Sequence, residues 1–364
     1  MKALRIGLAI GWLGLLSACG NGSTTYSLLA EGQSFQQNTS AQNTKIDVLW
    51  VVDNSGSMAS SQQHLADNFP TFIDRFVTKG FDFQMGVTTT DSYLAEPLYN
   101  SYYAQNPHPS YYNNLPQDQI AWLKDGVPGN PSGFPIITPS TPNIASVFTK
   151  NAMQGINGRG DERSLDSMRA ALRSSHNTGF VRPGGFLAVI IVTDEDDFSN
   201  PTTTAYETYV ASLNPISDYV SFLDGITLSS GPARRYSVNT LSIPDQACLN
   251  QLYNGSQKIG NRVMQMADAS GGVKGTLCGD FATQMDQISK AIVELSTQFF
   301  LQQKPVESTI KVFVNNQQVP KVADNPSGGW YYNANANSVV FQGSAVPPQG
   351  ASINVTFDPQ TINF

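Results

Sequence analysis

Apolar and polar residues alternate in two different ways along this chain. Residues 46–52 and 186–193 are apolar at nearly every position, as expected of strands covered on both faces of a parallel sheet. Residues 61–79 and 281–300 instead carry apolar side chains every three or four residues, which is the spacing of an amphipathic helix. Because such strands and helices alternate over residues 45–302, the pattern predicts an α/β domain with a doubly wound, mostly parallel sheet.

This alternation stops after residue 302. Residues 309–314, 338–341 and 351–357 have the two-residue period of strands, and Gly328-Gly329 is typical of a turn. The pattern therefore predicts a small, all-β, sandwich-like module over residues 303–364.

Residues 92–143 form an insertion in the α/β domain that has no clear helical or strand period. A connection of this length in a compact domain usually has a function of its own. The insertion is rich in tyrosine, and aromatic side chains with a polar tip offer rigid contact area to a partner. We therefore predict a partner-binding surface formed by Asp91, Tyr93, Tyr99, Tyr102, Tyr103, Tyr111, Tyr112 and Trp122. The alternative is a lid that packs on the domain and contacts no partner.

The first residues have the pattern of an export signal. Two basic residues precede residues 6–16, an apolar run that is too short to span a bilayer stably. The run ends in Leu16-Ser17-Ala18-Cys19, which resembles the lipobox of bacterial lipoproteins. The resemblance implies that residues 1–18 are a signal peptide and that Cys19 is lipidated.

The residues after Cys19 suggest how the domain is attached. Gly20 stands where lipoproteins of this kind that stay in the inner membrane have an aspartate, so the resemblance favours the outer membrane. Residues 19–44 consist mainly of Asn, Gln, Ser, Thr and Gly, and this composition predicts a flexible tether. An extra edge strand around residues 26–29 is the alternative.

Charge and cysteine content narrow the classes of function. The net charge is −7 and Lys and Arg form no cluster, which argues against a nucleic-acid partner. The two cysteines besides Cys19 are Cys248 and Cys278. Two cysteines in an exported protein most simply form one disulfide, and we predict that these two do.

Two polar loops directly follow buried strands. Asp53-Asn54-Ser55-Gly56-Ser57 places one carboxylate and two hydroxyls on a tight loop after the first strand, and Asp194 begins an acidic loop at the end of residues 186–193. Ligands of parallel sheets bind outside the carboxyl ends of the strands. Hard oxygen ligands suit Mg²⁺, with Mn²⁺ as a substitute. The pattern thus predicts a divalent cation at this edge.

These loops resemble the metal-ion-dependent adhesion site of von Willebrand factor type A (VWA) domains. The resemblance implies that Ser55 and Ser57 bind the metal directly and that Asp53 holds it through water. It also implies that Asp194, the match to the third metal loop of the family, lies near the metal.

The middle loop of the family normally supplies a threonine, and this chain departs from that pattern. Counting back from Ser167-Met168 in the helix that follows puts Glu162 in the place of the threonine. A carboxylate there would ligate the metal directly, and it would weaken the attraction of the site for an acidic partner. After a shift of register, Asp161 or Ser164 would take the place instead.

Two further acids, Asp196 and Asp197, lie in the loop of Asp194. One interpretation is that they hold an additional cation, Ca²⁺. The other is that they cap the next helix, where a carboxylate stabilises the first turn by about 0.5–1 kcal/mol.

The resemblance implies a membrane-anchored, metal-dependent adhesion protein. A carboxylate on a protein or cell-surface partner would complete the coordination of Mg²⁺. The alternative is a scaffold or assembly factor of the cell envelope, in which the metal of the VWA fold is structural or absent. We do not expect an enzyme, because no Gly-x-Ser-x-Gly motif surrounds Ser55 and the sequence has no Gly-Lys-Ser/Thr phosphate loop.

Overall fold

The structure is a computed structural model. It describes the backbone of residues 35–39 and, with their side chains, residues 45–101, 115–203, 212–229, 234–253, 255–325, 327–348 and 350–360. The predicted signal peptide, Cys19 and most of the predicted tether lie outside these residues. So do four tyrosines of the predicted partner surface, namely Tyr102, Tyr103, Tyr111 and Tyr112.

The described residues contain strands throughout the chain and helices up to residue 296. The strands are β1 (Phe35–Thr39), β2 (Lys45–Val52), β3 (Asp82–Thr89), β4 (Gly126–Val127), β5 (Asn130–Pro131), β6 (Ile136–Ile137), β7 (Phe186–Val192), β8 (Tyr236–Ser242), β9 (Lys274–Thr276), β10 (Phe299–Phe300), β11 (Lys311–Val314), β12 (Gln317–Val319), β13 (Gly328–Asn333), β14 (Ser338–Gly343) and β15 (Ile353–Phe357). The α-helices are α1 (Ala59–Thr78), α2 (Ile144–Ala152), α3 (Ser164–Arg173), α4 (Ile216–Thr227), α5 (Gln246–Leu252), α6 (Asn261–Ser270) and α7 (Phe281–Ser296). Short 3₁₀ turns cover Ser92–Ala95, Pro97–Tyr99, Gln117–Ala121, Ser175–Asn177 and Glu307–Thr309.

A six-stranded sheet with the order β6-β3-β2-β7-β8-β9 forms the centre of the fold. Its strands are parallel except for β6, which pairs antiparallel with β3 at one edge. This confirms the predicted α/β architecture with a mostly parallel sheet. The chain goes from β2 to β3 on one side and then returns to β7 on the other side of β2, so the order of strands reverses between β2 and β7.

Helices cover both faces of this sheet, which is why β2 and β7 are apolar at nearly every position. On one face, Trp50 packs edge-on against Phe72, with ring centroids 5.0 Å apart, and against Phe148 at 5.2 Å. The helices α1, α2 and α7 supply the other apolar side chains of that face. On the opposite face, Leu49 and Val189 belong to a second cluster with side chains of α3, α4 and α6.

Two small antiparallel sheets follow, with the orders β1-β15-β11-β12 and β10-β14-β13. Their inward residues, among them Val312, Trp330 and Phe341, share one continuous apolar cluster with α1 and α7. The indole of Trp330 is buried and donates to the carbonyl oxygen of Val319 at 2.9 Å. Trp330 is therefore part of the core.

The structure corrects three predictions at the ends of elements. Residues 35–39 are not part of a flexible tether, because β1 pairs with β15 and covers the otherwise open edge of that strand. The predicted helix over 281–300 ends at Ser296, and Phe299 and Phe300 pair with β14 instead. Gly328-Gly329 is not a turn but the start of β13, paired with Gln342 and Gly343.

Cys248 and Cys278 form the predicted disulfide. It closes a loop with a sequence separation of 30 residues, for which the loss of chain entropy in the unfolded state gives a stabilisation of roughly 3–4 kcal/mol. Asp245 caps the short helix α5 beside it by accepting from the backbone N–H of Cys248 at 2.8 Å. Within the described part of the chain, no helix combines the length and the apolar character needed to cross a membrane.

Candidate metal centre

The two predicted polar loops meet where the order of strands reverses. Asp53 follows β2 directly, Asp194 follows β7 by one residue, and the backbone N–H of Asp53 donates to the carbonyl oxygen of Val192 at 2.9 Å. In doubly wound sheets the crevice at such a reversal is the usual place for a ligand. The fold therefore brings the candidate residues together at the expected edge.

The hydroxyl-rich loop is held by Asp53, whose carboxylate is completely buried. One of its oxygens accepts from the backbone N–H of Ser55 at 2.8 Å, and the other accepts from the Thr193 hydroxyl at 2.8 Å. This geometry places the hydroxyl oxygens of Ser55 and Ser57 only 3.4 Å apart. Gly56, at the tip of the loop between them, is exposed, so solvent reaches this edge.

Glu162 is also completely buried, and neither of its carboxylate oxygens has a hydrogen-bond partner. Burial raises its pKa well above the ordinary value, and the negative charges of Asp53 and Glu195 raise it further. The Thr90 hydroxyl is near enough to oppose this rise, but it does not reach the geometry of a hydrogen bond. A buried carboxyl among other acids is stabilised by a proton or by a cation that balances its charge.

Asp194 supplies the third carboxylate and is nearly buried. One oxygen accepts from the side-chain amide of Gln257 at 3.2 Å, whereas Oδ1 is buried without a partner. Burial raises the pKa of Asp194, and the hydroxyl of Ser57 and the amide of Gln257 oppose the rise. Burial also raises the pKa of Asp53 to about 7, with the charge of Asp194 as the next cause.

Glu162 is positioned by its buried neighbour Arg163. The guanidinium donates to Asp161 Oδ2 at 2.7 Å and to the carbonyl oxygen of Thr202 at 2.8 Å, and it also donates to the hydroxyl of Tyr99. In addition, the carbonyl oxygen of Glu162 accepts from the backbone N–H of Phe198 at 2.8 Å. These bonds fix the backbone on both sides of Glu162.

Of the two register alternatives to Glu162, the structure gives Asp161 another role, because its carboxylate pairs with Arg163. Ser164 differs, since its hydroxyl is buried without a partner, like the carboxylate of Glu162. Glu162 and Ser164 therefore both remain candidates for the ligand from this loop.

The structure overturns the predicted partner surface at three residues. Tyr93 and Tyr99 are only 1% and 2% exposed, because both rings pack against the guanidinium of Arg163, at 5.0 and 5.4 Å from the ring centroids. Asp91 is buried as well and accepts from the side-chain amide of Asn54 at 3.0 Å and from the backbone N–H of Arg159 at 3.2 Å. Asp91 therefore connects the loop that contains Asn54 with the loop that contains Arg159. Only Trp122, among the described members of that surface, is partly exposed.

The contacts of Asp196 and Asp197 support helix capping. Asp196 accepts from the backbone N–H of Arg262 at 2.7 Å, in the first turn of α6. Asp197 accepts from the backbone N–H of Leu165 at 2.9 Å, in the first turn of α3, and pairs with the guanidinium of Arg262 at 3.1 Å. Since both carboxylates have these donors, we do not propose Ca²⁺ there. The sequence predicts that they cap the next helix along the chain. In the structure they instead contact α3, which precedes them, and α6, which lies farther along the chain.

The donor atoms of the candidate set are all oxygens. Among the described residues, no group of three or more His, Cys, Asp and Glu side chains has the arrangement of a metal site, so Asp53, Glu162 and Asp194 do not form one by themselves. The set predicted from the sequence adds the two hydroxyls of Ser55 and Ser57. Carboxylate and hydroxyl oxygens are ligands that suit Mg²⁺ or Mn²⁺, and the buried carboxylate oxygens of Glu162 and Oδ1 of Asp194 have no hydrogen-bond partner.

Sequence reasoning missed the side chains that support these loops. Gln62 of α1 is buried and donates to the carbonyl oxygens of Asp53 and Gly155, at 2.7 and 2.8 Å. Lys258 pairs with Glu195 at 3.2 Å, beside Asp194. Neither residue lies in a loop that directly follows a central strand, so no signal in the sequence distinguished them from ordinary surface residues.

A comparison with protein-family models and another with curated proteins found no match to this chain. Among solved structures, the pilus adhesin SpaC from Lactobacillus rhamnosus GG is 10% identical, with a TM-score of 0.40 over 89% of this chain and 42% of SpaC. Proximal thread matrix protein 1 from the mussel byssus is 13% identical, with a TM-score of 0.37 over 72% of this chain and 50% of that protein. The chain thus spans half or less of these two proteins, and similarities this distant carry no functional argument.

Proposed function

We propose that the chain is a metal-dependent binding protein of the VWA type, and that one Mg²⁺ is held by Asp53, Ser55, Ser57, Glu162 and Asp194. The observation that carries the proposal is the set of buried oxygens without hydrogen-bond partners, both of Glu162 and one of Asp194. The loop after β2 adds two hydroxyls, of Ser55 and Ser57, whose oxygens are 3.4 Å apart. Burying carboxylates without a counter-charge costs several kcal/mol. A divalent cation offsets this cost.

The residues of the site would have different roles at the metal. Ser55 and Ser57 would supply hydroxyl oxygens from the loop with the exposed Gly56, and the buried Glu162 and Asp194 would supply negative charge. Both oxygens of Asp53 already accept hydrogen bonds, from Ser55 and Thr193. This supports an indirect role for Asp53, which would orient the loop and meet the metal through water.

A partner oxygen would complete the coordination from the solvent side, where Gly56 is exposed. The VWA resemblance implies that this oxygen belongs to a carboxylate on a protein or cell-surface partner. Three carboxylates and one divalent cation give the site a net negative charge. Lys258, which is partly exposed, does not balance that charge, because it is paired with Glu195. A partner carboxylate would therefore be held less tightly than at a site with a neutral residue in place of Glu162.

The location of the protein is a separate part of the proposal. Export, lipidation of Cys19 and placement in the outer membrane rest on the sequence of residues 1–20 alone. An envelope scaffold with a structural metal, or with none, is the competing function.

A capture experiment distinguishes adhesion from scaffolding. The full chain is immobilised in Mg²⁺, exposed separately to washed bacterial envelopes and to a host-cell surface extract, and eluted with EDTA. We expect host-surface proteins in the EDTA eluate and at least tenfold less of them on Ser55→Ala/Ser57→Ala, because the metal would lose both hydroxyl ligands.

Ser60→Ala/Ser61→Ala is the matched control, since it removes two hydroxyls from the nearby helix α1. It should capture as much as the unchanged chain. Capture that survives both EDTA and the loss of Ser55 and Ser57 would refute the metal-dependent function. Capture restricted to envelope machinery would instead support the scaffold.

A further inference from the structure

A second candidate site lies at the far end of α3. It is an open cleft of about 420 Å³, lined by residues of the insertion and of the end of α3. The helix has 10 residues, a length of about 15 Å, and it begins two residues after Glu162, so the cleft lies toward the opposite end of the helix from Glu162. None of the described residues that line the cleft is a proposed metal ligand. The volume is within the usual range of small-molecule sites, about 300–1,000 Å³.

Trp122 is held rigidly in the wall of this cleft by Asn177. The side-chain amide of Asn177, which is buried, donates to the carbonyl oxygens of Ala121 and Ala171, at 2.8 and 2.9 Å. Its side-chain oxygen accepts from the backbone N–H of Leu123 at 3.2 Å. The residues on both sides of Trp122 are thus fixed to the end of α3, and the indole is presented on a rigid backbone.

The ring of Trp122 is also supported from one side. The imidazole of His176 stacks on it with ring centroids 3.6 Å apart and an angle of 6° between the planes. Trp122 is only partly buried and His176 is exposed, so this stack stands at the surface and is not part of the core. The other two tryptophans in the described part of the chain, Trp50 and Trp330, are 0% and 2% exposed.

Charged side chains of both signs surround this stack. Glu96, Asp118 and Arg173 line the cleft. The guanidinium of Arg173 lies 3.9 Å from the carboxylate of Glu96, at the outer limit of an ion pair, and its side chain is 58% exposed. Exposed pairs of this kind contribute little to stability, typically below about 1 kcal/mol. At 3.9 Å the two groups are not hydrogen-bonded to each other, so both can form hydrogen bonds to a ligand at small cost.

We propose that this cleft binds a neutral sugar residue of a glycan, with Trp122 as the stacking platform. The face of a sugar ring that carries C–H groups packs on an aromatic ring, and its hydroxyls need donors and acceptors at the edge. Glu96 and Asp118 supply acceptors and Arg173 supplies donors, and hydrogen bonds to charged groups are the stronger kind.

The charges argue against an anionic ligand, because the two carboxylates outnumber the one guanidinium and repel an acidic sugar or a phosphate. An amine is attracted by the carboxylates but repelled by Arg173, and it leaves the donors of Arg173 unused. A neutral molecule with many hydroxyls meets no repulsion and uses all three side chains. The proposal does not depend on the metal centre, because no proposed metal ligand lines the cleft.

The test measures binding of trisaccharides to the full chain by calorimetry, in EDTA. The neutral probes are maltotriose, cellotriose, mannotriose and N-acetylchitotriose, and the charged probes are trigalacturonate and the glucosamine trimer. We expect at least one neutral trisaccharide to bind, at least tenfold more tightly than either charged one. The same sugar should protect tryptophan fluorescence from acrylamide, because Trp122 is the accessible indole among those described.

Trp122→Ala should weaken this binding at least tenfold, and Trp122→Phe by no more than about threefold. Because Asn177 bonds to the backbone and not to the indole, we expect Trp122→Ala to keep its fold, which near-UV circular dichroism checks. His176→Ala, at an exposed position, gives a second variant and should weaken binding at least threefold. Tyr331→Ala, which removes an exposed aromatic ring from β13, should change nothing. Absence of binding by all neutral probes, preference for a charged probe, or equal binding by the Trp122 and His176 variants would overturn the proposal.

Discussion

The protein in EDTA should become less stable as the pH rises from about 5 to 8. In an excess of Mg²⁺ without EDTA, much of this loss of stability should disappear. Burial raises the pKa of Asp53 from its ordinary 3.8 to about 7, with the charge of Asp194 adding to the rise, and it raises the pKa of Glu162 in the same direction. A carboxyl with a higher pKa in the folded chain binds more protons when folded. Its contribution to stability is therefore complete below about pH 4 and is lost as the pH rises through about 7.

The expected effect is large. A change of one in pKa corresponds to about 1.4 kcal/mol, so Asp53 alone, whose pKa rises from 3.8 to about 7, accounts for about 4 kcal/mol over its whole titration range and for about 3 kcal/mol between pH 5 and 8. Mg²⁺ competes with protons for the same oxygens. At a thousand times its Kd it would add about 4 kcal/mol, which for a chain of this size is a rise of roughly 5–8 °C in Tm.

Thermal unfolding in Mg²⁺ and in EDTA, at several pH values between 5 and 8, checks this expectation. The difference in Tm between the two conditions should grow with pH. Asp47 serves as an internal control, because burial raises its pKa to about 6 although it pairs with Arg182, near the opposite end of β2 from the candidate ligands. Its share of the pH dependence should persist in Mg²⁺. A difference in Tm that is zero at every pH, with Mn²⁺ as well as Mg²⁺, would contradict the assignment.

Glu162→Gln should weaken Mg²⁺ binding at least 10- to 100-fold without lowering the Tm in EDTA. The substitution keeps the size of the side chain but removes the negative charge. Since both oxygens of Glu162 lack hydrogen-bond partners, the metal-free protein loses no bond when the carboxylate is replaced. Loss of a group that only hydrogen-bonds a metal ligand already costs about 10–100-fold in metal affinity, and loss of a directly bound carboxylate should cost at least as much. Calorimetry with Mg²⁺, together with Tm in EDTA, separates the two effects.

Glu195→Gln is the matched control for Glu162→Gln. Glu195 lies in the same buried region but has a partner, because Lys258 is 3.2 Å from its carboxylate. Breaking that pair should lower the Tm equally in EDTA and in Mg²⁺ and change the Kd for Mg²⁺ by no more than a few fold. If Glu162→Gln behaved like Glu195→Gln, Glu162 would be a structural residue and not a metal ligand.

The central part of the fold could be predicted because its signals are local. The strands β2 and β7 are apolar at nearly every position, since helices cover both faces of the sheet, and each is followed directly by a polar loop. Once both strands are placed in one parallel sheet, Asp53 and Asp194 must end at the same edge. No knowledge of distant contacts is needed for that step.

The predictions that failed depended on distant contacts. Tyr93 and Tyr99 resembled a binding surface by composition, but they pack on the guanidinium of Arg163, which is 60 or more residues away along the chain. Residues 35–39 have the composition of a tether, yet they pair with β15 at the opposite end of the chain. The helix α5 and the strand β9 were missed because 7 and 3 residues are too few to show a period.

Glu162 shows the limit of sequence reasoning at the site itself. Its position came from a count along the following helix, which left Asp161 and Ser164 as alternatives. Asp161 is the weaker candidate for the ligand, because its carboxylate pairs with Arg163. Glu162 and Ser164 remain candidates, because their side-chain oxygens are buried without hydrogen-bond partners. Such a distinction depends on which donors surround each oxygen, which a sequence does not specify.

A crystal of the protein soaked in Mn²⁺ and measured for anomalous scattering tests the central claim most directly. We expect one Mn²⁺ peak beyond the carboxyl ends of β2 and β7, about 2 Å from the hydroxyl oxygens of Ser55 and Ser57, with a carboxylate oxygen of Glu162 or the hydroxyl of Ser164 turned toward it. Crystals that show no peak there, with Glu162 bonded to other protein groups instead, would contradict a metal-dependent function for this edge of the sheet.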